Sequence, residues 1–235
     1  MTHKISAEIT DIFSSIQGEG IFVGAKQIFV RFKDCNMSCG FCDESKDIRG
    51  KAYTTAELMD AIRSLITRNG IHHSVSLTGG EPLCHTDYLA CFLPLMRKEG
   101  WKPYLETNGT LPNELSRVID LIGIVAMDIK LPSSTGERAY WDEHFEFLKI
   151  ASQKMVFIKS VITPETKADD VRKAVSLIKR LGKDVPFILQ PATPVKPADK
   201  PVDSKALLEF VEIALENKLE SIRVIPQTHK MMGLK

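Results

Sequence analysis

The sequence from Ile28 to Cys42 reads Ile-Phe-Val-Arg-Phe-Lys-Asp-Cys-Asn-Met-Ser-Cys-Gly-Phe-Cys and joins an apolar run to three closely spaced cysteines. Cys35, Cys39 and Cys42 have C-x3-C-x2-C spacing, with no fourth cysteine or histidine nearby. A closed structural zinc site requires four protein ligands. Three thiolates on one loop instead leave one iron of a 4Fe-4S cluster open to a small molecule. This stretch therefore predicts a strand that leads into a reaction site.

A zinc site is the alternative to an iron–sulfur cluster. His72, His73 or His85 could supply the fourth zinc ligand from a distant part of the chain. Such a site would stabilise a binding module rather than support a reaction. The two alternatives differ in metal content, because the cluster contains iron and sulfide and the structural site contains zinc.

The overall composition is that of a globular protein. The 235 residues are 43% hydrophobic and 26% charged, which predicts a single domain over residues 1–235 with a substantial core. The 31 basic and 30 acidic residues give a net charge of +1. No basic tract is present, so we expect no binding to nucleic acid and none to a membrane surface.

The cysteine content and the apolar segments indicate a cellular compartment. Residues 1–8 lack the apolar run of a signal peptide, and the longest apolar stretch, Leu121–Met127, is too short to cross a bilayer. Five cysteines are an odd number, and three of them share one loop, which argues against a disulfide framework. We therefore expect a cytoplasmic protein, since thiols stay reduced there.

Strands and helices are predicted to alternate along the chain. Runs of apolar and β-branched residues predict the strands, and apolar stripes at helical spacing predict the helices, the first of which starts with a capping box at residues 54–57. About six such units predict an α/β fold, in which a parallel sheet curls into an incomplete TIM-like barrel. The predicted strands are 26–32, 73–78, 102–106, 122–129, 154–162, 186–190 and 221–225, and the predicted helices lie around 54–66, 86–98, 112–120, 137–151, 171–181 and 207–215.

Polar or glycine-containing motifs interrupt the apolar pattern where the predicted strands end. In a barrel of parallel strands, the carboxyl ends of the strands form the face that carries the active site. These motifs therefore predict a pocket on one rim of the barrel. They are the cysteine loop, residues 79–82 (Gly-Gly-Glu-Pro), residues 107–109 (Thr-Asn-Gly), residues 128–130 (Asp-Ile-Lys) and Gln190.

Several of these motifs resemble the radical S-adenosylmethionine (SAM) superfamily. The resemblance rests on the cysteine loop with Phe41 before its third cysteine, on residues 78–82 and on residues 106–109. Within the superfamily, residues 15–20, 29–31 and 223–230 resemble the 7-carboxy-7-deazaguanine synthase family. The likeness extends from about residue 8 to residue 230.

The resemblance implies two cofactors, a 4Fe-4S cluster and SAM. Cys35, Cys39 and Cys42 would hold the cluster, and an electron from it would cleave SAM to a 5′-deoxyadenosyl radical. Each of the other residues also has a structural explanation, for example a core aromatic at Phe41, a simple turn at residues 79–80 or a solvated charge at Lys130. The expected SAM-binding residues are Phe41, Gly79, Gly80, Glu81, Asn108, Asp128, Ile129, Lys130 and Gln190.

The resemblance also implies a carbon–nitrogen lyase of queuosine and 7-deazapurine biosynthesis. It would convert 6-carboxy-5,6,7,8-tetrahydropterin to 7-carboxy-7-deazaguanine with loss of ammonia. Arg31 stands in an apolar strand, where a substrate carboxylate or an acidic side chain could pair with its guanidinium. The other substrate-binding residues would offer donors and acceptors to the pterin. The expected set is Ile16, Gln17, Gly18, Glu19, Arg31, Thr78 and His229.

The chain departs from the family just after the cluster loop. The family usually has Thr or Ser two residues beyond the third cysteine as a Mg²⁺ ligand, whereas this chain has Glu44. Glutamate is a good Mg²⁺ ligand, but it is longer than threonine and charged. Three arrangements stay open, which are direct ligation of Mg²⁺ by Glu44, ligation through water, and a site without Mg²⁺.

A glycyl-radical-enzyme activating enzyme is the second functional hypothesis, because it would share the cysteine loop and the glycine motifs. Residues 17–20 and Arg31 argue against it, since a protein substrate needs no carboxylate receptor. The family resemblance further implies a homodimer and an electron donor such as flavodoxin. Cys84 and Cys91 match no cluster pattern, and we expect both to be small core or loop residues.

Overall fold

The computed structural model describes residues 5–42, 48–194 and 200–234. Within these residues, nine strands form one sheet in the order β3-β1-β2-β4-β5-β6-β7-β8-β9. The strands are β1 (Ser6–Ile16), β2 (Lys26–Phe32), β3 (Lys51–Thr54), β4 (Ser74–Gly79), β5 (Pro103–Thr107), β6 (Ile124–Asp128), β7 (Met155–Ile162), β8 (Phe187–Pro191) and β9 (Ile222–Val224).

Helices connect the parallel strands of the sheet. The strands β2 and β4–β9 run parallel, and a helical crossover follows each of the first six, so that β9 ends the series. The sheet ends at β3 and β9 without closing, which confirms the prediction of an incomplete barrel. The helices are α1 (Thr55–Asn69), α2 (Thr86–Lys98), α3 (Pro112–Val118), α4 (Pro132–Thr135), α5 (Trp141–Ala151), α6 (Ala168–Arg180), α7 (Ser204–Glu216) and α8 (Thr228–Met231).

The prediction that residues 26–32 form the first strand is wrong. The preceding segment, β1, pairs antiparallel with β2 on one side and with β3 on the other. Only Ala7 and Ile9 are buried along β1, and its remaining residues are partly or largely exposed. Its sequence therefore lacks the continuous apolar run that marks the buried parallel strands.

The interior of the barrel has an apolar layer near the amino ends of the strands. Tyr104, Ile124, Ala126, Phe157 and Ile188 form it, and Phe22 packs against it from a short 3-10 turn at Gly20–Phe22. Gly20 has φ +64°, and a Cβ at this position would lie 2.3 Å from the Phe157 ring. The turn therefore requires glycine, and the apolar layer closes one end of the barrel.

The main core lies between the outer face of the sheet and the helices. The capping box predicted at residues 54–57 is confirmed, because Thr54 Oγ1 accepts from the Glu57 N–H at 3.3 Å and Glu57 Oε2 accepts from the Thr54 N–H at 2.8 Å. Such a cap contributes about 1 kcal/mol to helix stability. No helix among the described residues is long and apolar enough to cross a membrane. The prediction of one domain over residues 1–235 remains a prediction.

Candidate active site

A cavity of about 250 Å³ lies at the carboxyl ends of the strands, above the apolar layer. It receives side chains from the sheet, the cysteine loop and the segment around α8. Most of the residues expected to bind cofactor or substrate therefore share one cavity. They are Ile16, Gln17, Gly18, Glu19, Arg31, Cys35, Cys39, Phe41, Cys42, Thr78, Gly79, Gly80, Asn108, Asp128, Lys130, Gln190 and His229.

Two expected site residues, Glu81 and Ile129, are not among the residues that line the cavity. Glu44 lies outside the described residues, so its predicted role stays a prediction. Ile129 is fully buried in the main core, and its backbone N–H and C=O bond to Lys159 and Ser160. Glu81 is also fully buried. The side chains of Ile129 and Glu81 thus contact the protein and not the cavity, and the expected contact of these two residues with SAM stays a prediction.

The three cysteines line one end of the cavity, and hydrogen bonds hold their loop. The Gly40 N–H donates to the Thr135 carbonyl at 2.8 Å, and the Cys42 N–H donates to the Cys39 carbonyl at 3.2 Å. Burial raises the pKa of the Cys39 thiol to about 11. A bound metal would deprotonate such thiols on ligation. Three thiols on one wall of a cavity fit a cluster with one open iron.

The histidines of the zinc alternative lie elsewhere in the structure. His72 Nε2 is 2.8 Å from Ser14 Oγ, His73 Nδ1 is 3.0 Å from Ser74 Oγ, and His85 Nε2 is 3.4 Å from Asp34 Oδ2. None of these three histidines lines the cavity that the cysteines share. The residues suggested as a fourth zinc ligand therefore do not join the three thiols.

The Gly79-Gly80 pair permits a close approach between β4 and the start of the cysteine loop. A Cβ on Gly79, where φ is +104°, would lie 2.4 Å from the Phe32 carbonyl oxygen, and a Cβ on Gly80 would lie 2.1 Å from that of Asp34. The Gly80 N–H donates to the Phe32 carbonyl oxygen at 2.7 Å. Side chains are therefore excluded here by the protein's own backbone. The expected contact of this pair with SAM remains a prediction.

Glu81 joins the loops that follow β4 and β5. Its carboxylate accepts from the Leu83 N–H at 3.0 Å, from Thr107 Oγ1 at 2.9 Å and from the Asn108 N–H at 2.7 Å. Burial raises the pKa of Glu81 to about 7, against the opposing effect of these hydrogen bonds. Glu81 is therefore a positioning residue for Asn108, which lines the cavity beside Cys35.

His144 supports the same loop from the helical side and was missed by the sequence analysis. It is fully buried on α5, and its Nε2 lies 3.1 Å from the Asn108 carbonyl oxygen. Burial lowers the pKa of His144 to about 4. A histidine within a helix gives no sequence signal that separates this role from an exposed position.

We expect His144 to make the protein sensitive to acid. Because the pKa of His144 is lowered in the folded state, protonation of its imidazole favours the unfolded state. The free energy of unfolding is therefore highest above about pH 6.5 and decreases as pH falls toward 4. The His144→Gln variant should lose about 3 kcal/mol of the pH dependence in this window. Urea unfolding of both proteins between pH 4 and 7 measures the difference. The less buried His73→Gln is the matched control, and an equal effect in both variants would contradict the prediction.

Asp128 and Gln190 line the cavity, and each has one buried acceptor atom. Asp128 Oδ2 accepts from Lys130 Nζ at 2.8 Å, and this ammonium lies 5.3 Å from the centre of the Phe41 ring. Asp128 Oδ1 and Gln190 Oε1 are buried and have no hydrogen-bond partner among the described residues. Buried acceptors are normally paired. These atoms therefore fit a ligand that carries hydrogen-bond donors, as the amino and hydroxyl groups of SAM do.

The Gln17 side chain lines the cavity and is bonded within the protein, and its expected contact with the substrate stays a prediction. Its side-chain amide donates to Gln27 Oε1 and to Glu106 Oε1, both at 3.0 Å, and its Oε1 accepts from the Glu19 N–H at 3.0 Å. An amide nitrogen has two N–H donors. Both are used within the protein, so the amide has no donor left for a pterin.

A buried ion pair joins Glu19 to Lys159 on β7. Burial opposes the charge on Glu19, but Lys159 and a hydrogen bond from Gln227 lower the pKa of Glu19 to about 2. Burial likewise opposes the charge on Lys159, yet Glu19 raises the pKa of Lys159. Lys159 was not predicted as a site residue. Lys159 is a charged residue within the apolar run Val156–Ile162, and a charged residue in an apolar strand was also the feature that identified Arg31.

The segment around α8 completes the cavity. The Thr228 N–H donates to the Gly18 carbonyl at 2.9 Å, and Gln227 Nε2 donates to Glu19 Oε1 at 2.9 Å. A Cβ on Gly18 would lie 2.1 Å from His229 Nδ1, so glycine lets the two segments meet. The predicted site residue His229 is thereby brought beside the turn at residues 17–19.

Two further cysteines, Cys84 and Cys91, lie outside the cavity. Cys84 is exposed in a 3-10 turn at Pro82–His85, which agrees with the expected loop position. Cys91 is exposed on α2, so the expectation of a small core or loop residue is wrong for it. Neither thiol lines the cavity, as expected for cysteines that do not belong to the cluster loop.

Comparisons with known proteins find relatives over nearly the whole length of the chain. Residues 29–178 match the model of the radical SAM superfamily. The 7-carboxy-7-deazaguanine synthase of Geobacter sulfurreducens is 37% identical and is matched over 98% of each chain. The protein of the same name from Methanothermobacter thermautotrophicus is 35% identical over 97% of this chain and 98% of its own.

Solved structures support the fold. QueE from Escherichia coli is similar with a TM-score of 0.62 at 22% sequence identity, over 94% of each chain. SuiB from Streptococcus suis, solved with S-adenosylmethionine bound, is similar with a TM-score of 0.59 at 19% identity, over 83% of this chain and 45% of its own. At these identities the likeness concerns the fold.

Proposed function

Since the chain belongs to the 7-carboxy-7-deazaguanine synthase family of the radical SAM superfamily, we propose that its cavity converts 6-carboxy-5,6,7,8-tetrahydropterin to 7-carboxy-7-deazaguanine with loss of ammonia. This is a lyase reaction of queuosine and 7-deazapurine biosynthesis. The observation that carries the proposal is one cavity with three thiols at one end and charged side chains from several strands at the other.

The cluster loop and its surroundings would hold the cofactors. Cys35, Cys39 and Cys42 would ligate the 4Fe-4S cluster, and the unpaired acceptors of Asp128 and Gln190 would bind donor groups of SAM. When bound, the two cofactors supply the 5′-deoxyadenosyl radical that starts the reaction. Lys130 would contribute a positive charge beside Phe41, held in place by Asp128.

The residues on β1 and β2 would receive the substrate carboxylate. Arg31 lines the cavity, and its Cζ lies 5.5 Å from the centre of the Phe13 ring. Phe13 stacks on Phe29 with ring centres 5.1 Å apart, and both line the cavity. The stacked rings restrict the guanidinium to one side, which supports its orientation toward a planar ligand.

The proposed function is tested by turnover under anaerobic conditions. Reconstituted protein is incubated with SAM, a reductant and 6-carboxy-5,6,7,8-tetrahydropterin, and 7-carboxy-7-deazaguanine is detected by mass spectrometry. Formation of the product and of ammonia in equal amounts is the expected result. A protein that cleaves SAM but forms no deazapurine would contradict the proposed function.

The Arg31→Ala variant should separate substrate binding from radical formation. It should still cleave SAM slowly without substrate, but its affinity for the carboxytetrahydropterin should fall by about 2–5 kcal/mol, because a charge-assisted pair is lost. Equilibrium binding and SAM cleavage are measured in the same preparation. Arg31→Lys retains the charge and should lose less affinity. Unchanged pterin binding in Arg31→Ala would instead favour a protein substrate, as in an activating enzyme.

Several further properties belong to this proposal. Mg²⁺ would take part if Glu44 ligates it, and loss of turnover on chelation, reversed by added Mg²⁺, would support this role. The cluster needs a one-electron donor such as flavodoxin, and exposure of Cys35 and Cys42 supports access by such a donor. We also propose a homodimer from the family resemblance. A cytoplasmic location is supported by the odd number of cysteines, three of which share one loop.

A further inference from the structure

We propose that the Asn108 side chain raises the reduction potential of the iron–sulfur cluster by donating an N–H···S hydrogen bond to the sulfur of Cys35. Asn108 directly follows β5, and its Nδ2 lies 4.0 Å from Cys35 Sγ. The inference rests on the proposed ligation of the cluster by Cys35. Asn108 would act through this ligand and not on the reacting atoms, so it is a positioning residue.

The Asn108 amide uses its other hydrogen-bonding positions within the protein. A side-chain amide has two N–H donors and two acceptor positions on its oxygen. Oδ1 accepts from the Thr110 N–H at 3.0 Å and from Thr110 Oγ1 at 2.7 Å. Nδ2 donates to Asn36 Oδ1 at 2.8 Å. One N–H therefore remains, and Cys35 Sγ is its acceptor at 4.0 Å.

A backbone donor fixes the orientation of this amide. A flipped Asn108 would place its NH2 group against the Thr110 N–H, which can only donate. Asn36 Nδ2 also donates to Thr110 Oγ1 at 2.9 Å, so that the side chains of Asn36, Asn108 and Thr110 form one closed network. The nitrogen and not the oxygen of the Asn108 amide therefore lies beside Cys35.

The backbone of Asn108 is held on both sides. Its N–H donates to Glu81 Oε2 at 2.7 Å, and its carbonyl oxygen lies 3.1 Å from His144 Nε2. Glu81 and His144 are fully buried, and Asn108 is only 6% exposed. The donor is therefore in place without reorganisation when the Cys35 thiolate binds iron.

A hydrogen bond to a cluster sulfur shifts the redox equilibrium, because the reduced cluster carries one more negative charge. A donor at Cys35 stabilises the reduced form more than the oxidised form, so the reduction potential rises. The Met37 N–H also donates to the Cys35 sulfur. Of these two donors, only the side chain of Asn108 can be removed by substitution. Its loss should make reduction of the cluster by a one-electron donor more difficult.

The test is a redox titration of the reconstituted protein without SAM or substrate, followed by electron paramagnetic resonance of the reduced cluster. In Asn108→Ala, the ratio of reduced to oxidised cluster at a fixed potential should fall about threefold to tenfold, the scale of one net hydrogen bond. For a one-electron couple, this change corresponds to a potential about 30 to 60 mV more negative. The measurement requires no turnover.

Two further variants separate the hydrogen bond from the packing of the loop. Thr110→Val removes one donor to Asn108 but keeps the Asn108 N–H groups, so its potential should stay near the native value. Asn108→Asp keeps the acceptors for Thr110, replaces the N–H donors by an oxygen and adds a negative charge. Its potential should therefore fall further than that of Asn108→Ala. It also replaces Asn108→Ala in the test if the alanine variant assembles no cluster.

SAM affinity separates this role from the expected contact of Asn108 with SAM. An Asn108→Ala variant with native potential and weaker SAM binding would overturn the inference, as would an equal shift of the potential in Thr110→Val. In either case, product formation by the native protein would leave the proposed function standing. A native protein that binds zinc in place of iron would refute the ligation by Cys35, and the proposed function would fail with it.

Discussion

Alanine replacement of Cys35, Cys39 or Cys42 is expected to abolish reductive cleavage of SAM. Each thiol would ligate one iron of the cluster, and no other cysteine lines the cavity to replace a lost ligand. The loop is also held by the bonds of Gly40 and Cys42 to the protein backbone, so a displaced ligand could not slide into the vacant position. The three residues therefore act as a unit.

The measurement for the cysteines combines iron and sulfide analysis with detection of 5′-deoxyadenosine. Cys84→Ala and Cys91→Ala are matched controls, because both thiols are exposed and lie outside the cavity. Both should retain iron, sulfide and cleavage at native levels. Loss of the cluster in Cys84→Ala together with its retention in Cys39→Ala would show that the ligand assignment is wrong. Zinc in place of iron would support the binding-module alternative.

The Lys159→Met variant is expected to lose about 3–5 kcal/mol of unfolding free energy. The side chains of Lys159 and Glu19 are only 13% and 16% exposed, so removal of one partner leaves a buried charge in a poorly solvated site. The pair also anchors the turn at residues 17–19 to β7. Urea unfolding under anaerobic conditions measures the change, and turnover should fall with it.

A double-mutant cycle isolates the ion pair. Lys159→Met combined with Glu19→Gln removes both charges, so the double variant should be more stable than the sum of the two single effects implies. The ionised Glu19 carboxylate should contribute fully to the free energy of unfolding above about pH 4.5. This contribution should be lost as pH falls toward 2, because the pKa of Glu19 is lowered in the folded state. Additive single effects, or a Glu19→Gln variant with unchanged acid stability, would contradict the assignment.

The parallel strands and helices could be predicted because their signals are local. The predicted helix at 86–98 coincides with α2, and the predicted strand at 26–32 coincides with β2. Helix α5 instead begins at Trp141 and not at residue 137, since the preceding segment ends the short helix α4 at Gly136, which has φ +75°. Strand β1 escaped prediction because its pairing with β2 and β3, rather than a buried apolar run, defines it.

The site was only partly predictable for a related reason. Motif residues such as Cys39 and Arg31 are recognisable one at a time, and the structure places both at the cavity. The roles of Gln17 and Glu81 depend on partners 10 to 89 positions away, which decide whether a polar atom faces a ligand or the protein. No motif specifies those partners. Lys159 became a site residue only when Glu19 was placed beside it.

The contact between the α8 segment and the turn at residues 17–19 has a consequence for the order of folding. The Gln227–Glu19 and Thr228–Gly18 hydrogen bonds join residues 208 and 210 positions apart, and Lys159 joins Glu19 across 140 positions. Contacts of such long range form slowly, because closing the intervening chain costs entropy. During synthesis, the early strands can pair while the wall beside Glu19 is still missing. We therefore expect the pocket to form last, after residue 228 has left the ribosome.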